Sequence, residues 1–143
     1  MIVYCDTSAL VKLYIAEPHS ELVAAAIERA EAIATSRIAW AEFHAAVARR
    51  AREVPGDTDA MDKVRDLLSA DWGRYLVIEV SQKIVERAGH FADAFALRGY
   101  DAVHLASAAE AQEQSGHELH FACFDKRLNK AAGIIDMQLL RDK

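Results

Sequence analysis

The chain has 143 residues, 52% of them hydrophobic and 27% charged, which fits one ordinary globular domain over residues 1–143 with a core of its own. Its net charge of −5 excludes a protein that grips nucleic acid by general electrostatics, because Lys and Arg normally supply that affinity. Any nucleic-acid contact has to be local or mediated by a metal.

In chain order, "MIVYC" is a short apolar run closed by an acid, and "TSALVKLYIA" follows with helical spacing at Leu10, Leu13 and Tyr14. The start, "MIVYCDTSALVKLY", has no basic stretch leading into an apolar one and no segment is long enough to span a bilayer, so a cytoplasmic protein without a membrane partner is expected. Pro18 breaks the first helix, and "SELVAAAIERA" begins a second with Ser20 as its expected N-cap. "AIATS" reads as a strand, "IAWAEFHAAVARRAREV" as a helix ended by Pro55-Gly56, and "DTDAMDKVRDLLSADW" as another. "YLVIEV" is the clearest strand by its β-branched content, and Ser81 caps "QKIVERAGHFADAFALR". A helix opening at "RGYDAVHLASA", the strand "ELHFACF", the helix "KRLNKAAG" and a last apolar run, "MQLL", complete the chain. Strands alternating with helices predict an α/β fold of three layers, α/β/α, around a central parallel sheet. Cys5 and Cys123 are too few for a disulfide framework or a zinc pattern and read as buried thiols.

Ligands of an open parallel sheet bind beyond the carboxyl ends of its strands. Asp6 follows "IVYC" and Asp125 follows "HFACF", so both are expected at that edge, each at the start of a helix. Asp101 opens a helix with no strand directly before it and reads as an N-cap flanked by Tyr100 and Leu105 in the staple positions. Glu42 falls inside a helix whose apolar residues suggest cover on two faces, and none of its neighbours at i±3 or i±4 is a cation. Taken singly, the aspartates are helix caps and Glu42 is a surface acid or a buried one in want of a cation. Taken together, the four make a hard, all-oxygen pocket suited to Mg²⁺, with Mn²⁺ as substitute, rather than to zinc.

The stretches "IVYCDTSALVKLY", "RIAWAEFHAAVARR", "GYDAVHLASA" and "FACFDKRLNKAA" resemble, in order and spacing, the acidic motifs of PIN-domain ribonucleases, especially the VapC-type toxins of toxin–antitoxin pairs. The resemblance covers nearly the whole chain. It implies that Asp6, Glu42, Asp101 and Asp125 are the catalytic acids holding Mg²⁺ or Mn²⁺, with a hydroxyl of Thr7 or Ser8 assisting near Asp6. It also implies an RNA substrate cut to leave a 5′-phosphate and a 3′-hydroxyl, a cognate antitoxin, and pairing of the chain with itself.

Independently of that resemblance, Lys126 and Arg127 occupy the first turn of a helix, where the macrodipole disfavours cations. They are solvated or they meet substrate phosphate; Lys12 and Arg37 are further candidates for phosphate contact. His104 lies one turn from Asp101, within reach of a hydrogen bond to it, and reads first as a structural histidine. A phosphatase with an aspartyl nucleophile is disfavoured because its DxD pattern would need an acid where Ser8 stands. The alternative from another class is a non-catalytic module, either a receiver-like domain holding Mg²⁺ or a protein-binding domain. The receiver lacks its adjacent acids after the first strand. Alanine-rich helices with spaced bulky residues, as in "LYIAEPHSELVAAAIERA", predict exposed apolar surface where an amphipathic antitoxin helix would lie, with an antitoxin arginine entering the acidic pocket.

Overall fold

The computed structural model describes residues 1–140. Five strands form one parallel sheet: β1 (Ile2–Cys5), β2 (Ala32–Ser36), β3 (Leu76–Ile78), β4 (Leu119–Ala122) and β5 (Gln138–Leu139), in the order β3-β2-β1-β4-β5. Seven helices connect them: α1 (Thr7–Lys12), α2 (Ser20–Arg29), α3 (Ala39–Glu53), α4 (Thr58–Trp72), α5 (Gln82–Phe95), α6 (Gly99–Ser115) and α7 (Lys126–Ile134), with a 3-10 turn at Pro55–Asp57. The expected α/β/α layering is what forms. Among the described residues no helix is long and apolar enough to cross a membrane.

The two-residue period of a strand divides the core. On β1, Ile2 and Tyr4 face the layer that holds α5, α6 and α7, whereas Val3 and Cys5 face α1 to α4. All four are buried, which is why the strand reads as an unbroken apolar run. Helix α6 lies deepest. Its small residues Ala102, Ala106, Ala108 and Ala111 let it approach β1 and β2 closely, and it is covered nearly all round.

The topology places the site. The chain leaves β1 through α1 toward one face and leaves neighbouring β4 through α7 toward the other, so a crevice opens beyond the ends of these two central strands. Buried Thr35 on β2 donates its hydroxyl to the Cys5 carbonyl at 2.8 Å and ties the rim of that crevice to the neighbouring strand.

Three local readings are corrected. Helix α2 is capped at His19, whose φ of 72° is left-handed, and Ser20 is its first residue. Helix α6 starts at Gly99 with Arg98 at the N-cap, so Asp101 sits inside the first turn, and Tyr100 is exposed instead of forming a staple. Helix α3 buries one stripe, Ala39, Phe43 and Val47, while Trp40 and Ala45 are exposed, so it is not covered on two faces.

Candidate functional site: an acidic cavity at the switch point of the sheet

Each of the four acids reaches the crevice by its own route. Asp6 follows β1 directly and caps α1, and Asp125 follows β4 after a short link and caps α7. Both caps accept the backbone N–H three residues on, from Ala9 and Leu128, each at 2.9 Å. Glu42 projects from the first turn of α3, and Asp101 from the first turn of α6. All four line one cavity of about 300 Å³ together with Thr7, Ser8, Arg98 and His104.

The hydrogen bonds on these carboxylates are lopsided. Oδ1 of Asp6 accepts from both the Ala9 N–H and the Ser8 hydroxyl, the latter at 2.7 Å. Oε1 of Glu42 accepts from the Thr7 hydroxyl at 2.7 Å and from Nε2 of His104 at 2.8 Å. Among the described residues, neither Oδ2 of Asp6 nor Oε2 of Glu42 receives an N–H or O–H donor. On each side chain the N–H and O–H donors converge on one oxygen.

Asp101 and Asp125 are held differently. Arg98 donates from Nε to Oδ2 of Asp101 at 3.0 Å and its guanidinium lies 3.5 Å from Oδ2 of Asp125. The left-handed turn at Ala96 and the burial of Leu97 set Arg98 over the cavity, with its guanidinium 4.9 Å from the ring centre of Tyr100.

The electrostatics follow. Burial pushes the Asp101 carboxyl up, Arg98 pulls it down, and the charges of Asp125 and Asp6 raise it again, leaving it above the ordinary carboxylate range. Burial also pushes Glu42 up, but the hydrogen bonds from His104 and Thr7 outweigh it and hold its pKa below the ordinary value. Both cysteines are free and buried, and burial is the main reason each thiol is pushed far up, so neither supplies a thiolate.

The donor chemistry suits a hard divalent ion, with carboxylate oxygens and hydroxyls but no thiolate. Among the described residues, however, no three His, Cys, Asp or Glu side chains are already gathered closely enough to hold a metal ion. The carboxylates stand around the cavity, two of them drawn to Arg98, as like charges do when they share a site.

Of the other residues singled out from the sequence, Thr7 serves Glu42 and Ser8 serves Asp6. Lys126 and Arg127 line a second cavity of about 620 Å³ that shares Arg98, Asp101 and Asp125 with the first. Lys12 pairs with Glu17 at 3.5 Å and lies over the ring of Phe124, at the border of the acidic cavity. Arg37 pairs with Glu79 and lines none of these cavities. His104 bonds to Glu42 and Tyr4, not to Asp101. Sequence reasoning missed Arg98 altogether, and Lys130, which with Lys126 and Arg127 lines a further cavity of about 520 Å³. Arg98 had one signal in the sequence, a position three residues before Asp101, which on a helix is a pairing distance.

The profile of the PIN domain family matches residues 3–134. Ribonuclease VapC45 of Mycobacterium tuberculosis is 38% identical over 132 residues, covering 92% of this chain and 89% of its own length. Among solved structures, FitAcB from Neisseria gonorrhoeae superposes with a TM-score of 0.65 at 20% identity over 99% of this chain and 97% of that one. A toxin–antitoxin complex from Klebsiella pneumoniae gives 0.55 at 23% identity, over 82% of this chain and 83% of that one. These two likenesses establish the shared fold.

Proposed function

The chain belongs to the PIN-domain family and is a relative of VapC-type ribonucleases, and from that premise we propose that it is a Mg²⁺- or Mn²⁺-dependent endoribonuclease, the toxin of a toxin–antitoxin pair. The observation that carries this reading is the set of four carboxylates around one cavity at the switch point, with Oδ2 of Asp6 and Oε2 of Glu42 receiving no N–H or O–H donor among the described residues.

In this reading Asp6, Glu42, Asp101 and Asp125 hold the ion. A divalent ion bound there supplies an activated water and neutralises charge on a phosphodiester. The protein's own part is positional. Ser8 and the N-terminus of α1 fix Asp6, Thr7 and His104 fix Glu42, and Arg98 balances the charge of Asp101 and Asp125. The RNA strand leaves along α7, where Lys126, Arg127 and Lys130 line cavities continuous with the acidic one, and Phe95 and Ile134 offer apolar surface. Lys126 and Lys130 make no ion pair among the described residues, so their charge is available to phosphate. In a chain of net charge −5, this is the local contact that general electrostatics does not supply. Lys12 supplies a further phosphate contact at the Phe124 border.

The antitoxin would lay an apolar helix into the cavity of about 450 Å³ lined by Leu13, Tyr14, Ile27 and Tyr75, which shares no lining residue with the acidic one. An arginine from it would then enter the acidic cavity, and Arg98 illustrates how a guanidinium suits two of these carboxylates. Self-association goes with the family resemblance and is checked by light scattering. The test of the function is cleavage of total RNA by the purified chain with Mg²⁺ and with chelator, followed by sequencing of 5′-phosphate ends. Metal-dependent ends at a defined sequence support the nuclease. No cleavage by well-folded, metal-supplied protein favours the non-catalytic module instead.

A further inference from the structure

Three buried or half-buried side chains behind the cavity form a continuous chain of hydrogen bonds. The hydroxyl of Tyr4 lies 2.8 Å from Nδ1 of His104, and Nε2 of His104 lies 2.8 Å from Oε1 of Glu42. Tyr4 is on the central strand and fully buried, its ring stacked on Phe121 with centroids 5.7 Å apart and planes at 9°. His104, 2% exposed, meets the Tyr4 ring edge-on at 5.9 Å. Neither ring has room to turn, so direction passes from the core to the carboxylate.

We propose that His104, oriented by Tyr4, is a positioning residue that fixes Glu42 with Oε1 bound to the protein and Oε2 presented to the metal site. The proposal rests on the reading of Glu42 as a metal ligand. The hydrogen-bond chemistry sets the proton positions. A carboxylate oxygen only accepts, so Nε2 carries the hydrogen that faces Glu42. The Tyr4 hydroxyl can donate to a lone pair on Nδ1 only when that hydrogen on Nε2 is the ring's single one, so the ring tautomer has to be measured. Burial holds the Tyr4 hydroxyl far above its ordinary pKa, so it keeps the proton that this requires. Thr7 adds a second donor to Oε1 and lies 3.2 Å from Nε2 of His104, which closes the triangle around that one oxygen. An outer partner of this kind orients a ligand and typically contributes 10- to 100-fold in metal affinity.

A merely structural histidine would satisfy the same atoms, so the test has to separate the two roles. Mn²⁺ alone is titrated calorimetrically into full-length wild type and into the variants His104→Leu, His104→Gln and Tyr4→Phe. His104→Leu is expected to weaken Mn²⁺ binding about 10- to 100-fold. His104→Gln, whose amide nitrogen reaches close to the position of Nε2, is expected to restore most of it, and Tyr4→Phe, which deletes a single oxygen, to weaken it a few-fold. If His104→Leu does not fold, Tyr4→Phe and the ¹⁵N shifts of the His104 ring decide. The Nε2–H tautomer is expected in wild type and a mixture in Tyr4→Phe. Wild-type affinity in folded Tyr4→Phe and His104→Leu, or an Nδ1–H tautomer in wild type, overturns the proposal. If wild type takes up no Mn²⁺ while the Nε2–H tautomer is present, the metal reading of the cavity fails and the orientation of Glu42 by His104 stands.

Discussion

Glu42 is gripped by donors that reach it from α1 and from the core, whereas Asp101 and Asp125 share a guanidinium whose side chain is 61% exposed. The first arrangement lowers the pKa of its carboxylate and the second leaves Asp101 raised. One half of the cavity is therefore held by hydrogen bonds from within the fold, and the other is tethered by an arm that solvent can reclaim. Preorganisation lowers the cost of binding, while an exposed ion pair contributes little and is easily exchanged.

The largest effect is expected at Asp101. In Asp101→Asn, RNA cleavage should fall at least about 100-fold, the upper end of what losing even an outer partner of a metal site costs. Yet the metal-free protein should melt no lower than wild type, because the substitution removes a half-buried charge that folding penalises. A lowered melting temperature would mean that the tethered half is structural after all.

Next in size is the groove onto which the tethered half opens. In the double variant Lys126→Ala/Lys130→Ala, binding of a single-stranded RNA to a cleavage-dead background should weaken, and its log–log salt slope should fall by about 1.4, two phosphate contacts at roughly 0.7 each. Replacing Lys63 on α4, which lines none of these cavities, should leave the slope unchanged.

Arg98→Ala sharpens the comparison most cleanly, since it cuts the tether and leaves the Glu42 grip intact. Mn²⁺ affinity should rise, by up to about fivefold given how little an exposed pair contributes. An unchanged or weaker affinity measured by calorimetry would show that Arg98 does not compete for those oxygens.

The smallest effect is in pH. The lowered pKa of Glu42 means that its contribution to stability is present above the unfolded carboxylate pKa and is lost as pH falls through the folded value. Asp101 runs the other way. Its raised pKa favours the folded state at low pH, and that benefit is lost as pH rises through the folded value. Melting curves of metal-free wild type, Glu42→Gln and Asp101→Asn between about pH 2 and 7 should show wild type above Glu42→Gln at the neutral end and the gap closing in acid, below the ordinary carboxylate pKa. Wild type should lie at or below Asp101→Asn at the neutral end, and that gap should also close toward acid.

Most of the fold was legible because its strands are short apolar runs separated by capped helices. "AIATS" forms β2 from end to end, and Ser81 caps α5 as its spacing implies. Asp6 and Asp125 could be placed because each follows a strand and caps the next helix, whereas the sequence singles out Glu42 by a two-faced cover that α3 does not have, and Asp101 by a cap position that Arg98 holds. The partners of these acids could not be read. Whether His104 meets Asp101, one turn away, or Glu42, 62 residues away, depends on how α6 rolls against β1, and small alanines leave that roll to packing rather than to pattern. Asp101 lies inside its helix instead of at the cap because α6 already begins at Gly99, which puts Arg98 at the N-cap, three residues before it and within pairing distance. The pairing of Arg37, directly after β2, with Glu79, directly after β3, could not be read either, because it depends on β2 and β3 being neighbours in the sheet.

The most direct test is diffraction from crystals soaked in Mn²⁺, with the metal located by its anomalous signal and compared with metal-free crystals. The account predicts one Mn²⁺ in the acidic cavity contacting Glu42 and Asp101, with Arg98 withdrawn from Asp101 while Glu42, His104 and Tyr4 keep their places. Mn²⁺ bound elsewhere with Arg98 still on Asp101, or bound in the cavity only after Glu42 has left His104, would contradict it.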